Sequence, residues 1–300
     1  MRVSYSPGYF IKLPDNHPFP MGKFRCFYHI LKTEGLISDH DVVEPGLASW
    51  VDLERVHDPQ YLKNLSAGTL GAKAERKMGL PWSERLVRRS RLAVQGTILA
   101  ARNALIDSIA ANLAGGTHHA FADHGEGFCV LNDVAVAIRL LQQEGMIKRA
   151  AVIDVDVHQG NGTAAIFAKD PTTLTFSIHG ARNYPFKKEN SSLDIELPDG
   201  ASDVLYLDEI NRHLEGFLAK ASADILFYLA GVDTVAGDRY GRLSLSRDGL
   251  RDRDRAVLLA AQKQNVPVTL LMSGGYAQTA EATADLHAIV HREAAKIFHR

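Results

Sequence analysis

The sequence predicts an α/β fold built on a central, mostly parallel sheet with helices on both faces. Two observations carry this. Short apolar, β-branched runs alternate with amphipathic stretches along the chain, a pattern that builds parallel sheets with helical crossovers. The polar residues able to do chemistry follow those runs, at the edge where open α/β sheets bind ligands. Strands are expected at 3–5, 111–114, 151–157, 174–178, 225–230 and 268–272. Between them, 84–105 reads as a helix, with Leu86, Ser90, Ala93, Val94, Thr97, Ile98, Ala101 and Leu105 on one stripe. In 133–144, Val134, Ala137, Ile138 and Leu141 face inward while Arg139, Gln142 and Gln143 face out. The Gly-, Lys- and Ala-rich segment 68–81 reads as an exposed loop.

Composition narrows the function classes. The 300 residues are 46% hydrophobic, enough to bury the core of one domain spanning the chain. A formal charge of −1 argues for no nucleic-acid footprint and no polybasic membrane patch. No apolar run approaches the roughly 20 residues that span a bilayer, and Met1-Arg2-Val3-Ser4-Tyr5 does not begin a secretory leader. Cys26 and Cys129 are the only cysteines, so a reducing cytoplasm without disulfides is expected. There is no internal repeat, and the 13 histidines matter through their clustering.

The densest cluster is Ile153-Asp154-Val155-Asp156-Val157-His158. On a strand, Asp154, Asp156 and His158 leave by one face, and buried charges need a partner or a metal. Asp156, His158 and Asp233 make an oxygen/nitrogen set with open positions, suited to a catalytic divalent ion and above all to zinc. Gly115-Gly116-Thr117-His118-His119-Ala120 follows the second run, where both rings can reach one cavity, one as base and the other as electrostatic support. Ser177-Ile178-His179, Gly231-Val232-Asp233-Thr234 and Ser273-Gly274-Gly275-Tyr276 close the remaining runs. A phenol at Tyr276 can donate to a developing oxyanion, a contribution of about 3–4 kcal/mol. Singly, each element has an ordinary structural reading, such as an Asx turn for Asp233. Five successive strand ends converging by chance do not.

Taken in order and spacing, Tyr5-Ser6-Pro7, His17-Pro18, Gly116-Thr117-His118-His119-Ala120, Gly127-Phe128-Cys129, the run from Asp154 to Gly162, Ala230-Gly231-Val232-Asp233 and Gly274-Gly275-Tyr276 resemble the zinc-dependent histone deacetylase superfamily, with its arginase/deacetylase fold. Val51-Asp52-Leu53, His57-Asp58-Pro59-Gln60-Tyr61-Leu62, Asp156-Val157-His158-Gln159-Gly160-Asn161-Gly162 and Gly237-Asp238-Arg239-Tyr240-Gly241 are most similar to the class IV branch and its bacterial relatives. The resemblance implies one catalytic zinc on Asp156, His158 and Asp233, and Tyr276 polarising an acyl carbonyl. It implies a dyad of His118, backed by Asp154, and His119, backed by Asn161. Gly127, Phe128 and Phe186 would line a narrow tunnel, with Tyr184 as a substitute for Phe186 and with Tyr240 and Gly274 beside the pocket. A potassium ion would sit on the Asp154 side chain, the Ser177 hydroxyl and the carbonyls of Asp156, His158 and Ile178. Two positions depart from the family: class I members have aspartate at Asn161, and a Leu or Met usually stands at Tyr240. The expected activity is hydrolysis of acyl groups from lysine ε-amines in a protein or peptide. Deacetylation of small amines such as acetylpolyamines ranks second. An arginase-like dimanganese site ranks lower for want of bridging ligands. A non-catalytic acyl-lysine binding module is the reading from another class.

Overall fold

The computed structural model describes residues 1–298. Its strands are β1 (Val3–Ser4), β2 (Val42–Val43), β3 (Ile109–Asn112), β4 (Ala150–Asp154), β5 (Thr173–Gly180), β6 (Leu193–Leu197), β7 (Ile225–Leu229) and β8 (Val268–Leu271). All pair in parallel in one eight-stranded sheet, ordered β2-β1-β3-β8-β7-β4-β5-β6. The four central strands β3, β8, β7 and β4 are buried at every residue, which is why they read as unbroken apolar runs. The helices are α1 (Lys23–Thr33), α2 (Trp50–Leu53), α3 (Pro59–Ala67), α4 (Ala72–Met78), α5 (Glu84–Asp107), α6 (Asp133–Gln143), α7 (Asn161–Phe167), α8 (Asp203–Ala221), α9 (Arg247–Lys263) and α10 (Ala280–Phe298). Helix α5 lies against β1, β3, β8 and β7 and carries α6, while α8 lies against β4, β5 and β6 and leads on to α9, α10 and α1.

Local chemistry sets the helix limits. Ser83 caps α5 by accepting from Leu86 N at 3.1 Å, and Asn132 caps α6 by accepting from Ala135 N at 3.0 Å. The predicted inward stripes of both helices are buried, apart from Leu105, which is half-buried. The last strand in the chain, β8, occupies the middle of the sheet. The β3–α6–β4 crossover therefore passes over β8 and β7, and the loops after these four neighbouring strands open into one crevice.

Three expectations need correction. Segment 68–81 is not an exposed loop: it contains α4, with Met78 and Leu80 buried. Its glycines are helix boundaries, Gly71 at the N-cap and Gly79 left-handed at the C-cap. The strand expected over 151–157 ends at Asp154, so Asp156 and His158 are placed by the turn that follows rather than by strand alternation. Finally, the short β2 and the half-exposed β6 lay outside the predicted set; both are edge strands, where little apolar pattern is needed.

Candidate active site

The loops after β3, β4, β7 and β8 bring His118, His119, Asp154, Asp156, His158, Asn161, Asp233 and Tyr276 into one buried cluster. The histidine loop is aimed by Asp133, whose carboxylate accepts from Gly116 N at 3.1 Å and Thr117 N at 2.8 Å. Asp133 also takes the Thr97 hydroxyl of α5 at 2.5 Å. At the crown of the loop, the His118 and His119 rings stand 4.1 Å apart between centroids.

Each ring is held at Nδ1, leaving Nε2 toward the cavity. Nδ1 of His118 is 2.6 Å from Asp154 Oδ2, and Nδ1 of His119 is 2.7 Å from Asn161 Oδ1. Burial opposes a charge on either ring. For His118 the carboxylates of Asp154 and Asp156 outweigh it and push the imidazole up to about 9. For His119 burial is reinforced by His118 and His158 and only partly offset by Asn161, so its imidazole is driven well below the ordinary histidine range.

Beside the dyad lies a candidate metal centre. One ligand atom from each of Asp156, His158 and Asp233 falls within 4.8 Å of the others. His158 Nδ1 is 3.0 Å from Asp156 Oδ1 and 3.2 Å from Asp233 Oδ2. Burial works against the His158 charge, yet Asp156 and Asp233 push that imidazole up to about 10. Asp233 is pushed up by burial and by the charge of Asp156. The other oxygens are spoken for: Asp156 Oδ2 accepts from Gly274 N at 2.6 Å and Ser273 Oγ at 2.8 Å, and Asp233 Oδ1 from Val157 N at 2.9 Å. Asp233 Oδ2, by contrast, is buried and makes no well-aligned hydrogen bond, standing 3.2 Å from His158 Nδ1, which leaves lone pairs free for a ligand. A Cβ at Gly274 would overlap both carboxylates, so glycine is required for this close approach. Two carboxylates and one imidazole fit a divalent ion such as zinc.

Tyr276 is 9% exposed, and burial together with Asp233 and Asp156 keeps its hydroxyl protonated. Asp238 holds the tyrosine in place, accepting from Tyr276 N at 2.7 Å through one oxygen and from Tyr240 N at 2.8 Å and Gly241 N at 3.0 Å through the other. Lys23 anchors the same loop from below, donating to Ser273 O at 3.1 Å. The opening to solvent is a cavity of about 300 Å³ walled by Gly127, Phe128, Tyr184, Tyr240 and Tyr276. Phe128 reaches it from a type I′ turn, with φ +54° at Gly127 and +66° at Phe128. A left-handed phenylalanine is a strained conformation of the kind that clusters at functional sites.

The structure does not bring Phe186 to this tunnel. Phe186 is 92% exposed, and Tyr184 stands on the wall instead, its ring 5.1 Å from that of His119. Both are aromatics in the same short loop, and only the packed backbone distinguishes them. Of the residues expected on potassium, Asp154 and Ser177 are register partners across β4 and β5, and Ser177 Oγ is 2.9 Å from His179 Nδ1. Sequence reasoning missed Glu126, Lys23, Asp133 and Asp238 as site residues. Asp238 carried a signal, since it stands in the Gly237-Asp238-Arg239-Tyr240-Gly241 motif; the other three lacked any local pattern.

Comparison with known proteins agrees with this geometry. Residues 17–291 match the histone deacetylase domain. Histone deacetylase 2 of Arabidopsis thaliana is 31% identical over 288 residues, covering 92% of this chain and 74% of that one. The acetoin utilization protein AcuC of Bacillus subtilis (strain 168) is 36% identical over 263 residues, covering 80% and 68%. Among solved structures, the HD domain of HDA15 has the same fold, with a TM-score of 0.78 at 22% identity over 98% of this chain and 88% of that one. With a domain match running through both histidines, all three metal-competent residues and Tyr276, the chain belongs to the histone deacetylase family of hydrolases.

Proposed function

We propose that this chain is a zinc-dependent hydrolase removing acetyl or longer acyl groups from lysine ε-amines of proteins or peptides, in the manner of the class IV branch. The observation that carries this is the buried cluster of the dyad, the three metal-competent residues and Tyr276, from which His119, His158 and Tyr276 open onto one aromatic-walled cavity of about 300 Å³. That shape fits an extended alkyl-amine with its acyl end innermost. A zinc ion on Asp156, His158 and Asp233 would polarise the acyl oxygen and the attacking water. A potassium ion on the Asp154 and Ser177 side chains and the carbonyls of Asp156, His158 and Ile178 would brace the strand ends. Uncharged His119 accepts the proton the water loses, at Nε2, because Nδ1 is engaged by Asn161. The imidazolium of His118, sustained by Asp154, stabilises the negative charge that develops. The Tyr276 hydroxyl donates to the acyl oxygen. His119 then returns its proton to the leaving amine, giving a carboxylate and free lysine.

One observation favours the small-amine reading. Helix α4 packs on the tunnel turn, with Gly127 N donating to Lys77 O at 3.2 Å and Phe128 N to Met78 O at 2.8 Å, as an element narrowing the entrance would. The Lys77 ammonium at that rim opposes it, since it occupies the Glu126 carboxylate at 2.7 Å and leaves that charge unavailable to the distal amines of a polyamine. A cytoplasmic location is proposed from the two free cysteines; among the described residues no helix is long and apolar enough to cross a membrane.

Purified protein should hold about one zinc per chain and turn over lysine peptides bearing acetyl to long-chain acyl groups faster than acetylpolyamines. Asp233→Asn should lose metal and activity together with an unchanged circular dichroism spectrum. Full activity in that variant would remove the metal assignment, and peptide binding without product would leave only the binding-module reading.

A further inference from the structure

The carboxylate that is absent at Asn161 is present one residue further out. Asn161 Nδ2 donates to Glu126 Oε1 at 2.7 Å, and Glu126 is 5% exposed. The same carboxylate accepts from the Tyr184 hydroxyl at 2.5 Å and from Lys77 Nζ at 2.7 Å, with His124 Nε2 at 3.3 Å. Burial would favour its protonated form, but these contacts, with His124, Lys77, Tyr184 and Asn161, hold Glu126 ionised, well below the usual carboxylate range.

An ionised carboxylate can only accept hydrogen bonds. The amide group of Asn161 must therefore face Glu126, so its carbonyl oxygen must face His119. A carbonyl oxygen also only accepts, so His119 Nδ1 must carry the proton and Nε2 must present its lone pair to the cavity. We infer that Glu126 is a positioning residue for the reaction: it sets the polarity of a His119–Asn161–Glu126 chain, fixing the histidine tautomer through the amide, while the same carboxylate pins the tunnel wall at Tyr184 and Lys77. This rests on the reading of His119 as the base.

The chain dictates a reciprocal exchange. Glu126→Gln removes the charge that orients the amide. Turnover should fall about 10–100-fold, the range seen when a group that orients a site histidine is removed, while KM changes by less than about threefold, since a glutamine can still hydrogen-bond the Tyr184 hydroxyl and hold the tunnel wall. Asn161→Asp alone sets two carboxylates against each other at the 2.7 Å contact and should also impair turnover. In the double variant Glu126→Gln/Asn161→Asp, the glutamine amide donates to the new carboxylate, its oxygen accepts from Lys77, and His119 keeps an acceptor at Nδ1. Turnover should recover at least about tenfold over the worse single variant, since the lost hydrogen bond is remade with a charged acceptor. In ¹⁵N spectra of the zinc-loaded protein, the signal absent from His119→Ala should report the Nδ1–H tautomer in wild type and in the double variant, and a tautomer mixture in Glu126→Gln.

A Glu126→Gln enzyme with full turnover and an unchanged tautomer would overturn the proposal while leaving His119 as base, provided His119→Ala is inactive. An active His119→Ala would overturn both. If Glu126→Gln alone does not accumulate as folded protein, the double variant still decides. Turnover above that of Asn161→Asp supports the chain of bonds, and turnover equal to or below it refutes it.

Discussion

His118 and His119 are adjacent in sequence, equally buried and each bonded at Nδ1, yet they differ in charge. His118 has a carboxylate at 2.6 Å and is pushed up to about 9; His119 has an amide at 2.7 Å and is driven well below the ordinary range. Burial alone would keep both neutral. What separates them is the distance to the nearest negative charge, one bond away for His118 and two for His119, together with the repulsion a charged first ring exerts on the second. Titratable neighbours whose environments push them apart mark out acid and base roles. In the proposed reaction the imidazolium is electrostatic support and the neutral ring is the base.

The comparison breaks most visibly by deletion. His119→Ala should cost about 10²–10⁴ in kcat, the contribution of a positioned base, with metal still bound and His118→Ala costing clearly less. Single-turnover rates at saturating peptide measure this; equal losses would mean that the rings share one role. Tyr276→Phe comes next, at about 10²–10³ in turnover with little change in KM. It removes a donor that belongs to neither histidine, so its pH profile should keep the wild-type shape. A Phe variant within a few-fold of wild type would show that the hydroxyl does not meet the acyl oxygen.

The smallest and most specific effect is a shift in pH dependence. His118 acts protonated, so activity should fall as pH rises through its titration, which the Asp154 carboxylate at 2.6 Å holds above the ordinary histidine range. Asp154→Asn removes the charge that sustains the imidazolium, which lowers that titration and brings the alkaline limb to lower pH. The acidic limb belongs to His119 and should move much less. An alkaline limb that stays in place, with zinc content unchanged, would assign it to another group.

Much of the site was legible because strand ends are local. Apolar runs announce the strands, and the residues directly after them are carried to one edge whatever the rest of the chain does. Asp156, His158, Asp233, the His118-His119 pair and Tyr276 were therefore expected together from position alone, and the structure brings them into one buried cluster. Reading 68–81 as a loop failed because glycine marks both loops and helix ends, and only the buried Met78 and Leu80 tell which applies. The family resemblance prefers Phe186 to Tyr184 for the tunnel wall, and two aromatics separated by a single residue offer no local pattern that reverses that order.

By itself, then, the sequence determined the parallel α/β architecture, the edge that carries the chemistry and the identity of the residues delivered there, since each follows from patterns within a few residues. Only the tertiary structure decided that Asn161 is backed by Glu126, 35 residues away, and that Tyr184, 58 residues from Glu126, shares that carboxylate and walls the tunnel. Such pairings depend on how distant loops pack around a buried charge, and a hydrogen bond between segments so far apart leaves no period or spacing in the chain that forms it.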